Sequence, residues 1–163
     1  MVSRFSVCED SEAIAKIYNQ GIEERNSTFE IRLRSSEDIL DWFNSKHQIV
    51  VVEESGEVIA FASASTYRAR ECYAGIAEFS VYVKNDCRGR GAGKLALTTP
   101  LDVATQAGYW KVLSRVFIEN AHSRSLLKSL GFREVGVYEK HGKLDGKWRD
   151  VVIVEKLIER NLR

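Results

Sequence analysis

The chain has 163 residues, of which 44% are hydrophobic and 29% are charged, and its formal net charge is +1 at pH 7. These values predict one globular domain over residues 1–163 and exclude a general nucleic-acid surface, which needs a clustered excess of lysine and arginine. No run of about 18 apolar residues and no leader-like segment is present, so we expect no membrane span and a cytoplasmic location.

Cysteine and histidine patterns indicate neither a disulfide framework nor a metal site. The cysteines are odd in number, the histidines are scattered, and neither set has the spacing of metal ligands. We therefore expect no bound metal. The residues are Cys8, Cys72, Cys87, His47, His122 and His141.

The first part of the chain alternates between strand-like and helical patterns. Residues 2–7 predict a short strand, and Asp10 or Ser11 then caps a helix whose apolar positions are three and four residues apart. Residues 26–34 are predicted to be a loop, and Ser35 or Ser36 begins a second helix. Residues 48–53 and 57–65 predict antiparallel strands joined by a turn at Gly56.

The second part begins with a strand at residues 76–83 and a helix from about residue 91 to 106, which contains Pro100. Residues 111–118 predict a further strand, and Asn120 caps a short helix that Gly131 ends. Two final strands are predicted at residues 132–139 and 148–157, around a loop at 140–147. This interleaving of helices and strands indicates a mixed, largely antiparallel α/β sheet.

The segment between residues 83 and 95 has the features of an anion site. Its glycines let backbone N–H groups converge, the helix start adds unpaired donors, and basic side chains add charge. A P-loop is excluded because it needs glycine at Arg88 and a hydroxyl residue at Leu95. A dinucleotide fingerprint is excluded because its third glycine would fall at Lys94. We therefore expect the segment to bind a diphosphate.

Two motifs resemble the acetyl-CoA signatures of the GCN5-related N-acetyltransferase superfamily. One is Arg-x-x-Gly-x-Gly, formed by Arg88, Gly91 and Gly93, and the other is E-N-x-x-S at residues 119–123 followed by L-G-F at 130–132. Residues 68–83, with arginines and a tyrosine before A-E-F-S-V-Y-V, are similar to the phosphinothricin N-acetyltransferase family and its arsinothricin-resistance branch. The resemblance covers nearly the whole chain.

The resemblance implies a mixed, mostly antiparallel sheet of about seven strands flanked by four helices. It also implies acetyl-CoA as cosubstrate, a homodimer, and a pantetheine arm in a wedge between the strand ending at Val83 and the strand starting near Lys111. The binding residues that it implies are Val81, Tyr82 and Val83 for the arm, Arg88, Gly89, Arg90, Gly91, Ala92, Gly93 and Lys94 for the diphosphate, and Asn120 and Ser123 near the arm.

Acetyl transfer to an amine needs a base, because an α-amine with a pKa of about 8 is mostly protonated at neutral pH. Glu78 is the only carboxylate in residues 76–83, where partial desolvation suits a base acting directly or through a water. An outward-facing glutamate on a half-exposed strand is the alternative that the pattern alone leaves open. The match to A-E-x-S-V-Y-V favours the base.

The leaving thiolate has no evident acid in this sequence. Relatives carry histidine or tyrosine at the position of Leu127, and leucine cannot donate a proton. Tyr73, Tyr138, His141 and solvent are the alternatives, and the sequence does not choose among them.

Arginines before the central strand suggest an anionic acceptor. Arg70, with Tyr73, offers a guanidinium fork that suits a carboxylate or a tetrahedral oxyanion, and Phe29 is a candidate pocket wall. Solvated loop residues are the alternative.

The predicted function is N-acetylation of a glutamate-like toxic amino acid of the phosphinothricin, arsinothricin or methionine sulfoximine kind, which confers resistance. Alternatives are acetylation of another small amine or a protein N-terminus, and a non-catalytic acetyl-CoA sensor.

Overall fold

The computed structural model describes residues 1–45 and 48–163, and His47, considered above as a metal ligand, lies outside the described residues. Within these ranges the chain forms seven strands and four α-helices, as predicted. The strands are β1 (Val2–Phe5), β2 (Gln48–Glu54), β3 (Glu57–Thr66), β4 (Ile76–Val83), β5 (Lys111–Phe117), β6 (Arg133–Leu144) and β7 (Lys147–Leu157). The helices are α1 (Ser11–Glu24), α2 (Ser36–Asn44), α3 (Ala92–Gln106) and α4 (Ala121–Ser129).

The strands form one sheet in the order β1-β2-β3-β4-β5-β7-β6. Neighbouring strands are antiparallel except β4 and β5, which run parallel. This confirms the predicted mixed, mostly antiparallel sheet. The parallel pair is short: its last register partners are Glu78 and Leu113, and beyond them β4 and β5 have no paired residues. The sheet therefore opens at its centre.

Helices cover both faces of the sheet. On one face, α3 buries Ala96 and Leu97 against residues of β3, β4 and β5, and on the other face α1 and α2 pack against β2 and β3. Side chains alternate across a strand, so Phe79 of β4 faces α3, whereas Tyr82 packs with the α1 and α2 cluster. Glu78 and Ser80 share the face of Tyr82. Within the described residues, no helix has the length and apolarity to cross a membrane.

The helix starts agree only in part with the sequence analysis. Ser35 caps α2 through a capping box, in which its hydroxyl accepts from the Asp38 N–H and the Asp38 carboxylate accepts from the Ser35 N–H. Asp10 precedes α1 without a side-chain cap. Its carboxylate instead accepts two hydrogen bonds from Arg4, at 2.8 and 2.9 Å, and one from the Val7 N–H. The Arg4 guanidinium lowers the pKa of Asp10 below its ordinary value.

The final hairpin corrects the predicted loop at residues 140–147. Strand β6 continues to Leu144, and the turn consists of Asp145 and Gly146, with φ of 51° and 76°. Two successive positive φ angles match a two-residue hairpin turn, for which Asp-Gly is a strong signal. The loop prediction was wrong because β6 is an exposed edge strand whose polar residues 139–143 show no apolar alternation. A register shift between Tyr138 and Gly142 also interrupts its pairing.

Candidate active site

The opening between β4 and β5 holds a cavity of about 350 Å³, which we call the central cavity. Towards α4 it adjoins a second cavity of about 300 Å³, the middle cavity, with which it shares Ser27, Val81, Tyr82, Asn120 and Ser123. A third cavity of about 180 Å³, the loop cavity, lies beyond it against the glycine-rich segment. The three cavities together follow one path from the sheet centre to the start of α3. The central cavity is lined by Tyr18, Ser27, Trp42, Phe61, Ser63, Ser65, Glu78, Phe79, Ser80, Val81, Tyr82, Ser114, Arg115, Val116, Asn120, Ser123 and Leu127.

Glu78 lies in the central cavity and is paired with Arg115 of β5. Arg115 Nε and Nη2 lie 2.7 and 2.6 Å from the same carboxylate oxygen, Glu78 Oε1. The Glu78 side chain is 20% exposed and that of Arg115 is 47% exposed. Glu78 is therefore partly desolvated, as expected, but it has a cationic partner that the sequence analysis missed.

Hydroxyl groups and aromatic rings complete the central cavity. The Ser63 and Ser80 hydroxyls are hydrogen-bonded at 2.8 Å, and the Ser114 hydroxyl donates to the Phe79 carbonyl at 2.7 Å, which bridges β5 and β4 beyond their last paired residues. The aromatic wall is closely packed, with the Tyr18 ring edge-on to that of Tyr82 at 5.0 Å. Burial raises the pKa of both phenols above its ordinary value, so both are neutral at physiological pH.

The glycine-rich segment forms one side of the loop cavity. Gly89 and Gly91 have φ of 74° and 88°, which a residue with a side chain adopts only with strain, and Gly91 immediately precedes α3. Gly93 allows α4 to approach closely, because a Cβ at this position would lie 2.9 Å from Leu126 Cδ2. Ala92, Gly93 and Lys94 at the start of α3 line the loop cavity, and the unpaired N–H groups of a helix start suit an anion.

Of the three cations in residues 88–94, two are held by carboxylates. Arg88 pairs with Glu24 at the end of α1 at 2.9 Å, and Arg90 pairs with Glu54 at 2.6 Å. Lys94 is exposed and has no ion pair among the described residues. The segment fits a diphosphate, which would exchange with the carboxylates as a partner of the two arginines.

Asn120 and Ser123 lie where the central and middle cavities meet. The Asn120 side-chain oxygen accepts from the Ser123 N–H at 3.1 Å, which confirms Asn120 as the cap of α4. Leu127 of the same helix is buried in the central cavity wall. None of Tyr73, Tyr138 and His141, the residues considered as alternatives to Leu127, is among the described residues that line the cavity.

The residues predicted to bind the acceptor lie outside the central cavity lining. Arg70 is exposed, with its guanidinium carbon 5.9 Å from the centre of the Tyr73 ring. Phe29 packs edge-on against Phe117 at 4.7 Å, in a cluster beside the cavity. Sequence reasoning missed Arg115. Its signal was a single charge inside the largely apolar residues 112–118, on a strand whose register with β4 was unknown.

A sheet opened between two parallel central strands, with a glycine-rich loop before a helix and a cavity that holds a carboxylate, is the arrangement expected of an acetyltransferase. The chain belongs to the acetyltransferase (GNAT) family, whose model matches residues 14–132. The predicted superfamily and fold are thereby confirmed, and the enzyme is an N-acetyltransferase with acetyl-CoA as cosubstrate.

Individual relatives match nearly the whole chain. It is 32% identical over 158 residues to YwnH of Bacillus subtilis, covering 94% of this chain and 97% of that protein. It is 27% identical to the L-methionine sulfoximine/L-methionine sulfone acetyltransferase of Salmonella typhimurium, over 99% and 96% of the two chains. A crystal structure of a phosphinothricin acetyltransferase from Sinorhizobium meliloti in complex with acetyl-CoA superposes with a TM-score of 0.89 at 27% identity, over 96% and 87% of the chains.

Proposed function

We propose that this single-domain enzyme acetylates the α-amine of a glutamate-like toxic amino acid of the phosphinothricin, arsinothricin or methionine sulfoximine kind. The observation that carries the proposal is the carboxylate of Glu78 in a cavity at the opening of the sheet, beside hydroxyl groups and one guanidinium. Relatives named for phosphinothricin and for methionine sulfoximine and sulfone support the substrate class. Acetylation replaces the ammonium by a neutral amide, so the product loses a charge that glutamate-binding targets recognise, and resistance follows.

In this proposal acetyl-CoA supplies an activated acetyl thioester, and the chain holds it at three places. Backbone groups of Val81–Val83 on the edge of β4 that lacks a β5 partner bind the pantetheine amides. Residues 88–94 bind the diphosphate through N–H groups and basic side chains. Asn120 and Ser123 lie along the arm, at the junction of the central and middle cavities.

Glu78 takes the proton from the acceptor ammonium, directly or through a water. Arg115 occupies only Oε1 of this carboxylate, so Oε2 is available to accept a proton. Leu127 is apolar and buried, and the other candidate acids lie outside the cavity, so the thiolate takes its proton from solvent. Among the described residues, no group of three or more histidine, cysteine or acidic side chains is placed to hold a metal ion, and the proposal uses none.

For the far end of the acceptor, the proposed substrate-binding residues are Arg70, Tyr73 and Phe29. Residues 67–75 connect β3 to β4, and both strands line the central cavity through Ser65 and Glu78, so this connection borders its opening.

We also propose a cytoplasmic homodimer. The exposed apolar side chains of the edge strand β6 support the dimer, among them Val135 and Val137, which are 46% and 45% exposed.

The test of the proposed function is release of free CoA thiol from acetyl-CoA by the purified protein. The acceptors are phosphinothricin, arsinothricin, methionine sulfoximine, glutamate, a simple alkylamine and a peptide with a free N-terminus. We expect fast release with at least one of the first three and little with glutamate. Faster release with the alkylamine or peptide would replace the proposed substrate class, and acetyl-CoA binding without release for any acceptor would support the sensor alternative.

Replacing Arg88 with glutamine is expected to raise the KM for acetyl-CoA about tenfold and leave the KM for the acceptor unchanged. A charge-assisted hydrogen bond contributes roughly 1.5–3 kcal/mol, and the lower end applies because Arg88 exchanges Glu24 for the diphosphate. Steady-state kinetics with each substrate varied in turn measures both constants. Arg133→Gln, which breaks an exposed ion pair with Glu155, is the matched control. Equal increases in both KM values would contradict the assignment of Arg88 to acetyl-CoA.

A further inference from the structure

Arg115 is the only cationic side chain among the described residues that line the central cavity. Its Nε donates to Oε1 of Glu78 at 2.7 Å and its Nη2 lies 2.6 Å from the same oxygen, whereas its third nitrogen, Nη1, has no partner in the described part of the chain. The opposite oxygen, Glu78 Oε2, is likewise without a hydrogen bond there. An open donor and an open acceptor of opposite charge therefore lie side by side in one cavity.

An α-amino acid presents the complementary arrangement. Its ammonium and carboxylate are separated by one carbon atom, so a site that binds both needs an anion and a cation within a few ångströms of each other. Glu78 and Arg115, with closest atoms 2.6 Å apart, meet this condition. The arrangement is formed by two strands. Glu78 of β4 is register partner of Leu113 in β5, and Arg115 lies two residues after Leu113, so that both charged side chains project from the same face of the sheet.

We propose that Arg115 binds the α-carboxylate of the acceptor while Glu78 takes the proton from its α-amine, so that the pair recognises the head group of a free α-amino acid. This inference rests on the proposed function and adds to it. Arg115 is suited to the role because it is half exposed and a guanidinium presents five donors, enough to hold two carboxylates at once.

The proposal separates the tasks of two arginines. Arg115 lies in the cavity beside Glu78, and Arg70 lies outside it near Tyr73. A residue that binds the head group acts on every α-amino acid acceptor alike, whereas a residue near the opening responds to the side chain. Loss of Arg115 should therefore weaken the binding of phosphinothricin and of methionine sulfone by similar factors.

The experiment compares L-methionine sulfone with its α-carboxamide, which keeps the amine and the side chain but lacks the carboxylate. We expect the wild-type enzyme to favour the acid in kcat/KM by about 10–100-fold, the range of one charge-assisted contact. Arg115→Gln should reduce this preference to near unity by raising the KM of the acid, and Arg115→Lys should restore part of it. Arg133→Gln should leave the preference unchanged, since Arg133 lies outside the cavity.

The outcomes distinguish this inference from the proposed function. If Arg115→Gln lowers kcat for both acceptors equally, or if the wild type does not discriminate, Arg115 only orients Glu78 and the inference is overturned. If the wild type acetylates neither compound, the proposed substrate class fails. Calorimetric titration of L-methionine sulfone into the CoA-bound protein then tests the role of Arg115 separately. Binding that weakens at least tenfold in Arg115→Gln supports the carboxylate site, and equal binding by both proteins overturns it.

Discussion

Replacing Glu78 with glutamine is expected to lower kcat by about 10²–10⁴-fold, the range typical of a lost general base, while acetyl-CoA binds as before. The amide has nearly the shape of the carboxylate, and its oxygen still accepts from Arg115, so the cavity is preserved. The substitution removes the negative charge and, with it, the proposed ability to take a proton from the ammonium. The binding of acetyl-CoA is retained because its proposed contacts, at residues 81–83 and 88–94, are made by other parts of the cleft.

The matched control is Glu134→Gln, which neutralises a carboxylate paired with Arg124 on the surface at 2.8 Å. It should keep full activity. Thiol-release kinetics gives kcat, and calorimetry with CoA gives the affinity. An unchanged kcat in Glu78→Gln would remove Glu78 from the mechanism, and a joint loss of turnover and CoA binding would indicate that the substitution damages the cleft.

Replacing Gly75 with alanine is expected to lower the free energy of unfolding by about 3 kcal/mol, the upper part of the range for overpacking a core. Gly75 is buried, and a Cβ there would lie 2.1 Å from two ring carbons of Trp110. The backbone cannot easily move apart to make room, because the Trp110 N–H donates to the Gly75 carbonyl at 2.9 Å. The contact immediately precedes β4 and β5, so strain there falls at the base of the cleft.

Gly136→Ala is the control for this change. A Cβ at Gly136 meets no atom within 4 Å, and its φ is not in the left-handed region, so the stability should change by no more than about 0.5 kcal/mol. Urea unfolding measures the free energy of unfolding of both variants, and the m value should stay unchanged. Equal stabilities of the two variants would show that Trp110 has room to move, and would contradict the tight packing at the base of the cleft.

Local signals predicted the elements that the chain specifies over short distances. Strand β4 is a mostly apolar run followed by a short polar turn, which is why its bounds were predicted at 76 and 83. The Ser35 cap and the Asn120 cap are similarly local, since each side chain bonds a backbone N–H three residues later.

Contacts between distant segments could not be predicted in the same way. The pairing of Glu78 with Arg115 depends on the register of two strands 37 residues apart in sequence, which no local pattern fixes. The positions of Phe29 and Arg70 relative to the cavity depend equally on how loops pack against the sheet. The Asp145-Gly146 turn was a different case: its local signal was present in the sequence, but the polar edge strand before it concealed the hairpin.

The ion pairs of Arg88 with Glu24 and of Arg90 with Glu54 affect which anions the proposed diphosphate site would accept. Each arginine already has a carboxylate partner, so replacing that partner by a chloride ion would exchange one ion pair for another without a net gain. In the proposed site a diphosphate would engage both arginines, Lys94 and the start of α3 together, and would replace both carboxylate contacts at once. We therefore expect the loop to bind a ligand with several charges in preference to small anions.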